Sequence, residues 1–161
     1  LPILPPAATY FEPFLGAAAV FLAYGPPRAC LSDLNPDLVE TFRAVREQPA
    51  EVARRLYRLR SRNTAREYYR IRTQFNRGGT PGLQAARFIY LNQTSFNGIY
   101  RVNKRGQYNV PFGYRARPNL PGKPALESAA RTLRKAILRL ADYRAVLKKA
   151  RPGDVVYLDP P

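Results

Sequence analysis

The chain has 161 residues, a net charge of +16, one cysteine, and neither histidine nor methionine. Its length and mixed composition suit one globular domain with a real core, and no apolar run is long enough to span a membrane or to act as a signal peptide. The lone Cys30 cannot form an internal disulfide, the lack of histidine argues against His-ligated metals and His-based triads, and the charge points to a polyanion partner, nucleic acid first.

Cys30 fits a reducing cytoplasm, and it lies in no Pro-Cys pair, so a cysteine nucleophile has no support. The missing methionine suggests a fragment or an excised domain. Residues 8–14 read as a first strand running into a loop, and Leu15–Leu22 as a turn opening a helix. A strand–Gly–helix unit is a generic nucleotide cradle, although close helix packing also calls for small residues. Arg28–Asp33 reads as a second strand. An acid at its end can accept two ribose hydroxyls; alternatively Asp33 or Asn35 caps the helix that begins near Pro36.

Residues 37–77 are helical in pattern and very basic, with Arg54, Arg55, Arg58, Arg60, Arg62, Arg66, Arg70, Arg72 and Arg77 in one segment. Val52, Leu56 and Leu59 make a narrow apolar stripe, and Tyr68, Tyr69, Ile71 and Phe75 suit a small helical core. The arginines are either an electrostatic footprint for DNA or a solvated face with ion pairs. Residues 76–82 read as a flexible loop. Arg87 begins a helix closing near Asn97-Gly98, and a hairpin follows that turns at Lys104-Arg105-Gly106. A two-stranded ribbon fits a DNA major groove. Phe96, Tyr108 and Phe112 either face DNA or form a local core.

Residues 118–124 read as a linker and 126–134 as a helix. Ala136–Leu140 continues that helix by propensity alone. Asp142 is placed to cap a helix over 143–150, with Lys148, Lys149 and Arg151 near its carboxyl end. Pro152-Gly153 marks a turn, and Asp154–Leu158 reads as a short buried strand. Pro160 and Pro161 have no N–H and cannot extend a ladder, which leaves Asp159 at the carboxyl end of a strand. Open α/β sheets hold their ligands there.

Four stretches together resemble the Dam-type (D12 class) adenine-N6 DNA methyltransferases: Tyr10–Gly16, Ser32–Pro36, Arg87–Gly113 and Asp154–Pro161. Asp159-Pro160-Pro161 is similar to the Asp-Pro-Pro-Tyr signature of enzymes that methylate an exocyclic amine. The resemblance implies an α/β fold, an incomplete Rossmann-like sheet that binds S-adenosylmethionine, with an inserted helical and hairpin DNA-recognition subdomain. Residues 1–40 and 125–161 would form the cofactor and catalytic part, and 41–124 the target-recognition part. It turns 136–140 into a strand.

The same resemblance assigns Glu12, Pro13, Phe14, Gly16, Asp33, Asp142, Tyr143 and Asp159 to the cofactor. Asp159, Pro160 and Pro161 become catalytic: the carboxylate orients the amine and Pro160 offers its carbonyl. Arg101 would read a guanine edge, Ile99 and Pro111 a thymine methyl, and Phe96 would wedge into the base stack. Asn97, Asn103 and Lys104 would touch backbone or bases. Family members carry more glycine where this chain has Ala17 and Ala18.

The implied activity is transfer of a methyl group from S-adenosylmethionine to N6 of a flipped adenine in double-stranded DNA, by direct displacement, in a monomer without metal or membrane. The setting is a bacterial cytoplasm, with the gene of host or phage origin or linked to restriction. GATC is the natural guess for the target by analogy. Two family parts are missing: an upstream Lys/Gly-Gly segment, of which residues 1–7 hold the trailing edge, and the aromatic residue after Pro161. These 161 residues alone are therefore expected to methylate weakly or not at all. The alternatives are a non-catalytic DNA-binding remnant, one part of a split methyltransferase, or an RNA adenine methyltransferase, the last of which leaves the hairpin unexplained.

Overall fold

The computed structural model of the chain describes residues 8–160. The expectations for residues 1–7 and for Pro161 lie outside them. The expected α/β class holds: among the described residues there are four parallel strands and seven α-helices. Strands β1 (Tyr10–Glu12), β2 (Ala29–Asp33), β3 (Ala136–Leu140) and β4 (Val155–Val156) lie in the order β3-β2-β1-β4. β2 pairs with a strand along each edge and is buried because helices pack on it as well. β3 forms where helical propensity competes, because all five of its residues find partners along β2, from Ala29↔Ala136 to Asp33↔Leu140.

β4 differs from the buried strand expected over 154–158. It has two residues, pairs with β1 alone, and leaves Val156 and Leu158 exposed. An apolar run suggests burial, but β4 lies at an edge of the sheet.

The helices are α1 (Ala19–Tyr24), α2 (Pro36–Glu47), α3 (Pro49–Tyr57), α4 (Ala65–Asn76), α5 (Pro81–Thr94), α6 (Lys123–Leu133) and α7 (Tyr143–Leu147). Proline in the first turn starts α2, α3, α5 and α6, since its missing N–H has no helical partner there. That preference explains two corrections. Pro81-Gly82 belongs to α5 rather than a loop, and Lys123-Pro124 to α6 rather than a linker. Gly82 is buried, and a Cβ there would lie 2.8 Å from Glu51 Cγ, so the small residue lets α5 approach α3. The helix after Arg87 ends at Thr94, not Asn97. A 3-10 turn over Phe96–Gly98 follows, with Asn97 at φ +53° and Gly98 at +65°.

The larger apolar core runs from Tyr10 and Leu31 of the sheet through Val52, Leu56, Tyr68, Ile71 and Phe75 to Tyr108 and Phe112, and a smaller cluster joins Phe11, Cys30 and Val146. Phe112 and Tyr108 thus pack inward, while Phe96 stays exposed. The expected hairpin turns at residues 104–106, but its ladder is short: Asn103 N–H donates to Gln107 O at 2.8 Å and Asn109 N–H to Arg101 O at 3.1 Å. The hairpin is held from below instead. Asn76, expected in a loop, ends α4 and acts as a strand partner, taking Tyr108 N–H on Oδ1 at 2.9 Å and giving Nδ2–H to Tyr108 O at 3.0 Å. Tyr68 and Arg72 both donate to Val110 O at 2.9 Å.

Candidate active site and nucleic-acid interface

Because all four strands are parallel, their carboxyl ends share one edge of the sheet. Glu12 ends β1, Asp33 ends β2, Asp142 and Tyr143 follow β3, and Asp159 follows β4. The chain steps from β1 to β2 and β3 on one side and returns to β4 on the other. That reversal between β1 and β4 is the place where open α/β sheets form a ligand crevice.

The loop after β1 is tied to the end of β2. Leu15 N–H donates to Ser32 O at 2.9 Å, and Ser32 Oγ–H to Pro13 O at 3.4 Å. Asp33 Oδ2 accepts from Gly16 N–H at 3.2 Å and Oδ1 from Asn35 N–H at 2.9 Å. Gly16 and Ala18 both have positive φ, +47° and +55°, which folds the loop back before α1 begins. Positive φ suits glycine better than alanine, so Ala18 holds this turn in a conformation that a glycine would adopt without strain. Of the two residues weighed as helix caps, Asn35 does the work: its Oδ1 accepts from Leu38 N–H at 3.2 Å. Asp33 is half-exposed and keeps lone pairs free for a diol.

Asp142 caps α7, accepting from Arg144 N–H at 2.9 Å. The Tyr143 ring lies 5.2 Å from that of Phe14, so two expected cofactor residues from different loops meet as an aromatic pair. Pro13 is buried, and Phe14 and Tyr143 are half-buried.

Glu12 is 3% exposed and accepts from Tyr10 O–H at 2.9 Å. Burial pushes its carboxyl from an ordinary 4.5 up to about 6; the Tyr10 hydroxyl and the Phe21 amide pull it down, and the Asp159 carboxylate adds to the rise. Burial, with Asp159 and Glu12 nearby, also raises the Tyr157 hydroxyl. Asp159 and Pro160 are exposed beyond the end of β4. A raised carboxyl favours folding while protonated. Its contribution is whole below 4.5 and lost as pH rises through about 6, a difference of about 2 kcal/mol. Glu12→Gln should therefore match the unaltered chain in stability at pH 4 and exceed it by about 2 kcal/mol at pH 8. Urea unfolding at both pH values checks this, and equal midpoints at pH 8 would refute it.

The expected DNA-facing residues cluster along the hairpin and the turn before it. Phe96, Asn97, Ile99, Arg101, Lys104 and Pro111 are exposed, Phe96 by 52% and Ile99 by 43%. The Arg101 guanidinium rests on Asn109, Nε–H to Oδ1 at 2.9 Å. Asn103 builds the turn: its Oδ1 accepts from Arg105 N–H at 2.9 Å and Gln107 N–H at 3.0 Å. That side chain is already engaged within the loop.

The arginine-rich segment divides. Arg54 and Arg55 pair with Glu51, and Arg62 and Arg70 with Glu67. Arg60 holds Leu120 O at 2.8 Å. Arg58, Arg66 and Arg77 are exposed. Two tyrosines stand out only in the fold: Tyr114, 77% exposed at φ +53° with its ring 4.8 Å from Phe112, and Tyr100, which donates to Asp37. A polar cleft of about 340 Å³ opens between α4 and the hairpin, lined by Arg72, Asn76, Arg77 and Gln107 among others. No described helix is long and apolar enough to cross a membrane, and the described residues hold no cluster of three or more His, Cys, Asp or Glu placed for a metal.

The chain matches the family described as D12 class N6 adenine-specific DNA methyltransferase over residues 2–161. It is 35% identical over 161 residues to the DNA adenine methylase of Escherichia coli, covering 98% of this chain and 57% of that protein. The DNA adenine methylase of Vibrio cholerae serotype O1 is 35% identical over 160 residues, with the same coverage of 98% and 57%. The Type II methyltransferase M1.LlaDCHI of Lactococcus lactis subsp. cremoris is 32% identical over 158 residues, covering 94% of this chain and 56% of that protein. The chain spans about half the length of the curated relatives it matches.

Proposed function

The chain belongs to the D12 class N6 adenine-specific DNA methyltransferase family, and from that membership we propose that it transfers the methyl group of S-adenosylmethionine to N6 of an adenine flipped out of duplex DNA. The observation that carries this reading is the gathering of Glu12, Asp33 and Asp159 at one sheet edge, beside the Phe14–Tyr143 pair. This donor set fits the cofactor. Asp33 has acceptors for a ribose diol, Phe14 and Tyr143 offer aromatic surface for a purine, and the carboxylates suit a cationic ligand. S-adenosylmethionine, when bound, supplies an electrophilic methyl group.

The chain's own work is positioning. An exocyclic amine is a poor nucleophile because its lone pair is spread into the ring. Asp159 and the Pro160 carbonyl each accept one amino hydrogen, making the nitrogen more tetrahedral and stabilising the positive charge that grows there. The displacement is direct, with no covalent enzyme intermediate. The proton shed by nitrogen leaves through Asp159 to solvent.

Residues 41–124 act as the DNA-reading part of a Rossmann-like methyltransferase domain formed by 1–40 and 125–161. Arg101 approaches a guanine edge, Ile99 and Pro111 a thymine methyl, and Phe96 fills the space left by the flipped base. Exposed Arg58, Arg66 and Arg77 add phosphate attraction. The site of action is a bacterial cytoplasm. Incubation with methyl-labelled S-adenosylmethionine and adenine-containing duplex DNA, followed by mass analysis of the nucleosides, tests the reading. Label in N6-methyldeoxyadenosine, even at the weak turnover expected of these residues alone, supports it; label in methylcytosine or in RNA alone refutes it.

A further inference from the structure

We propose that the hydrogen bond between Tyr100 and Asp37 couples occupancy of the cofactor loop to the position of the DNA-reading hairpin, which makes both of them positioning residues. The inference rests on the methyltransferase reading above and assigns it a route between its two sites.

Tyr100 lies between Ile99 and Arg101, on the strand expected to read DNA. Its side chain turns the other way. The ring packs 5.8 Å from both Phe88 and Tyr108, and its O–H donates to Asp37 Oδ2 at 2.7 Å. Burial, and then the bond to Asp37, raises the hydroxyl, so it stays a donor across the working pH range.

Asp37 sits in the first turn of α2, and its carbonyl accepts Thr41 Oγ1–H at 2.7 Å. That turn is capped by Asn35, whose own N–H binds Asp33 Oδ1, while Asp33 Oδ2 holds Gly16 N–H. Bonded groups therefore run without a break from the loop after β1, through Asp33 and the start of α2, to the reading strand. A ligand that draws on Asp33 acts on the cap of α2, and a helix turn moves as a rigid unit. Tyr100 is the side chain that passes this displacement to the backbone of Arg101, whose carbonyl also accepts Asn109 N–H across the hairpin.

A staple that merely steadies the hairpin would hold it equally with and without cofactor. Coupling is a difference between those two states. Hydrogen exchange of the full chain, followed by mass spectrometry with and without saturating S-adenosylmethionine, reads that difference. In the unaltered chain the cofactor should slow exchange over residues 13–18 and also, by about fivefold, over 99–109. Tyr100→Phe keeps the ring packing and removes the donor. It should retain the slowing at 13–18 and lose it at 99–109. Asp37→Ala should do the same, whereas Asp37→Asn, which keeps an acceptor oxygen, should preserve both. Slowing at 99–109 that persists in Tyr100→Phe and Asp37→Ala overturns the coupling, as does its absence from an unaltered chain that slows at 13–18. An unaltered chain that slows in neither region overturns the cofactor reading itself, and the coupling with it.

Discussion

Asp159→Asn should lower the rate of methyl transfer by about 10³-fold even at saturating S-adenosylmethionine. The substitution preserves size and one carbonyl acceptor. In the proposed mechanism it removes the negative charge facing the amine as positive charge develops on nitrogen, an interaction made chiefly in the transition state, so the loss falls on the rate at saturation. A second signature follows from the nearness of Asp159 to Glu12. Asp159 helps raise the Glu12 carboxyl, so its loss should move the Glu12 titration downward, a shift visible by carboxylate NMR. Single-turnover transfer of labelled methyl groups measures the first effect. An Asp159→Asn rate within about tenfold of the unaltered chain would remove this residue from the catalytic assignment.

Gly113→Ala should be the most disruptive glycine-to-alanine change in the chain. Gly113 N–H donates to Thr94 O at 2.8 Å, and Phe96 N–H to Pro111 O at 2.9 Å, so residues 111–113 lie directly against 94–96. A Cβ on Gly113 would fall inside the Ser95 carbonyl, 2.6 Å from its carbon and 2.9 Å from Phe96 N. These are backbone atoms and cannot swing aside as a long side chain can. The expected cost is about 3 kcal/mol, a fall in melting temperature of roughly 10 °C. The damage also falls on Phe96 and Pro111, both expected at DNA, so DNA affinity should drop even where the protein remains folded. A melting temperature within about 2 °C of the unaltered chain would show that the 94–96 segment can retreat.

Residues whose role is local were legible from the sequence. Asn35-Pro36 announces a helix start, Lys104-Arg105-Gly106 a turn, and Asp142 a cap, because each acts within a few residues of itself. The strand at 136–140 was legible through resemblance and not through propensity, since its pairing partner lies more than a hundred residues upstream. The edge position of β4 was hidden for the same reason: burial depends on neighbours that an apolar run does not name. Asn76 shows the limit most clearly. A helix-ending asparagine before two glycines reads as loop, and only the fold brings Tyr108 to its amide. Asn103 shows it in reverse, where a residue assigned to DNA spends its side chain on its own turn.

The carboxyl edge of the sheet is the centre of the account, and Asp33 is its most specific member. Titration calorimetry with S-adenosylmethionine on the unaltered chain and on Asp33→Ala, with melting curves to confirm folding, tests it most directly. The expected result is one site per chain, with affinity reduced about 100-fold by loss of the charged acceptor. Equal affinity in a folded Asp33→Ala protein would contradict the assignment of this edge to the cofactor.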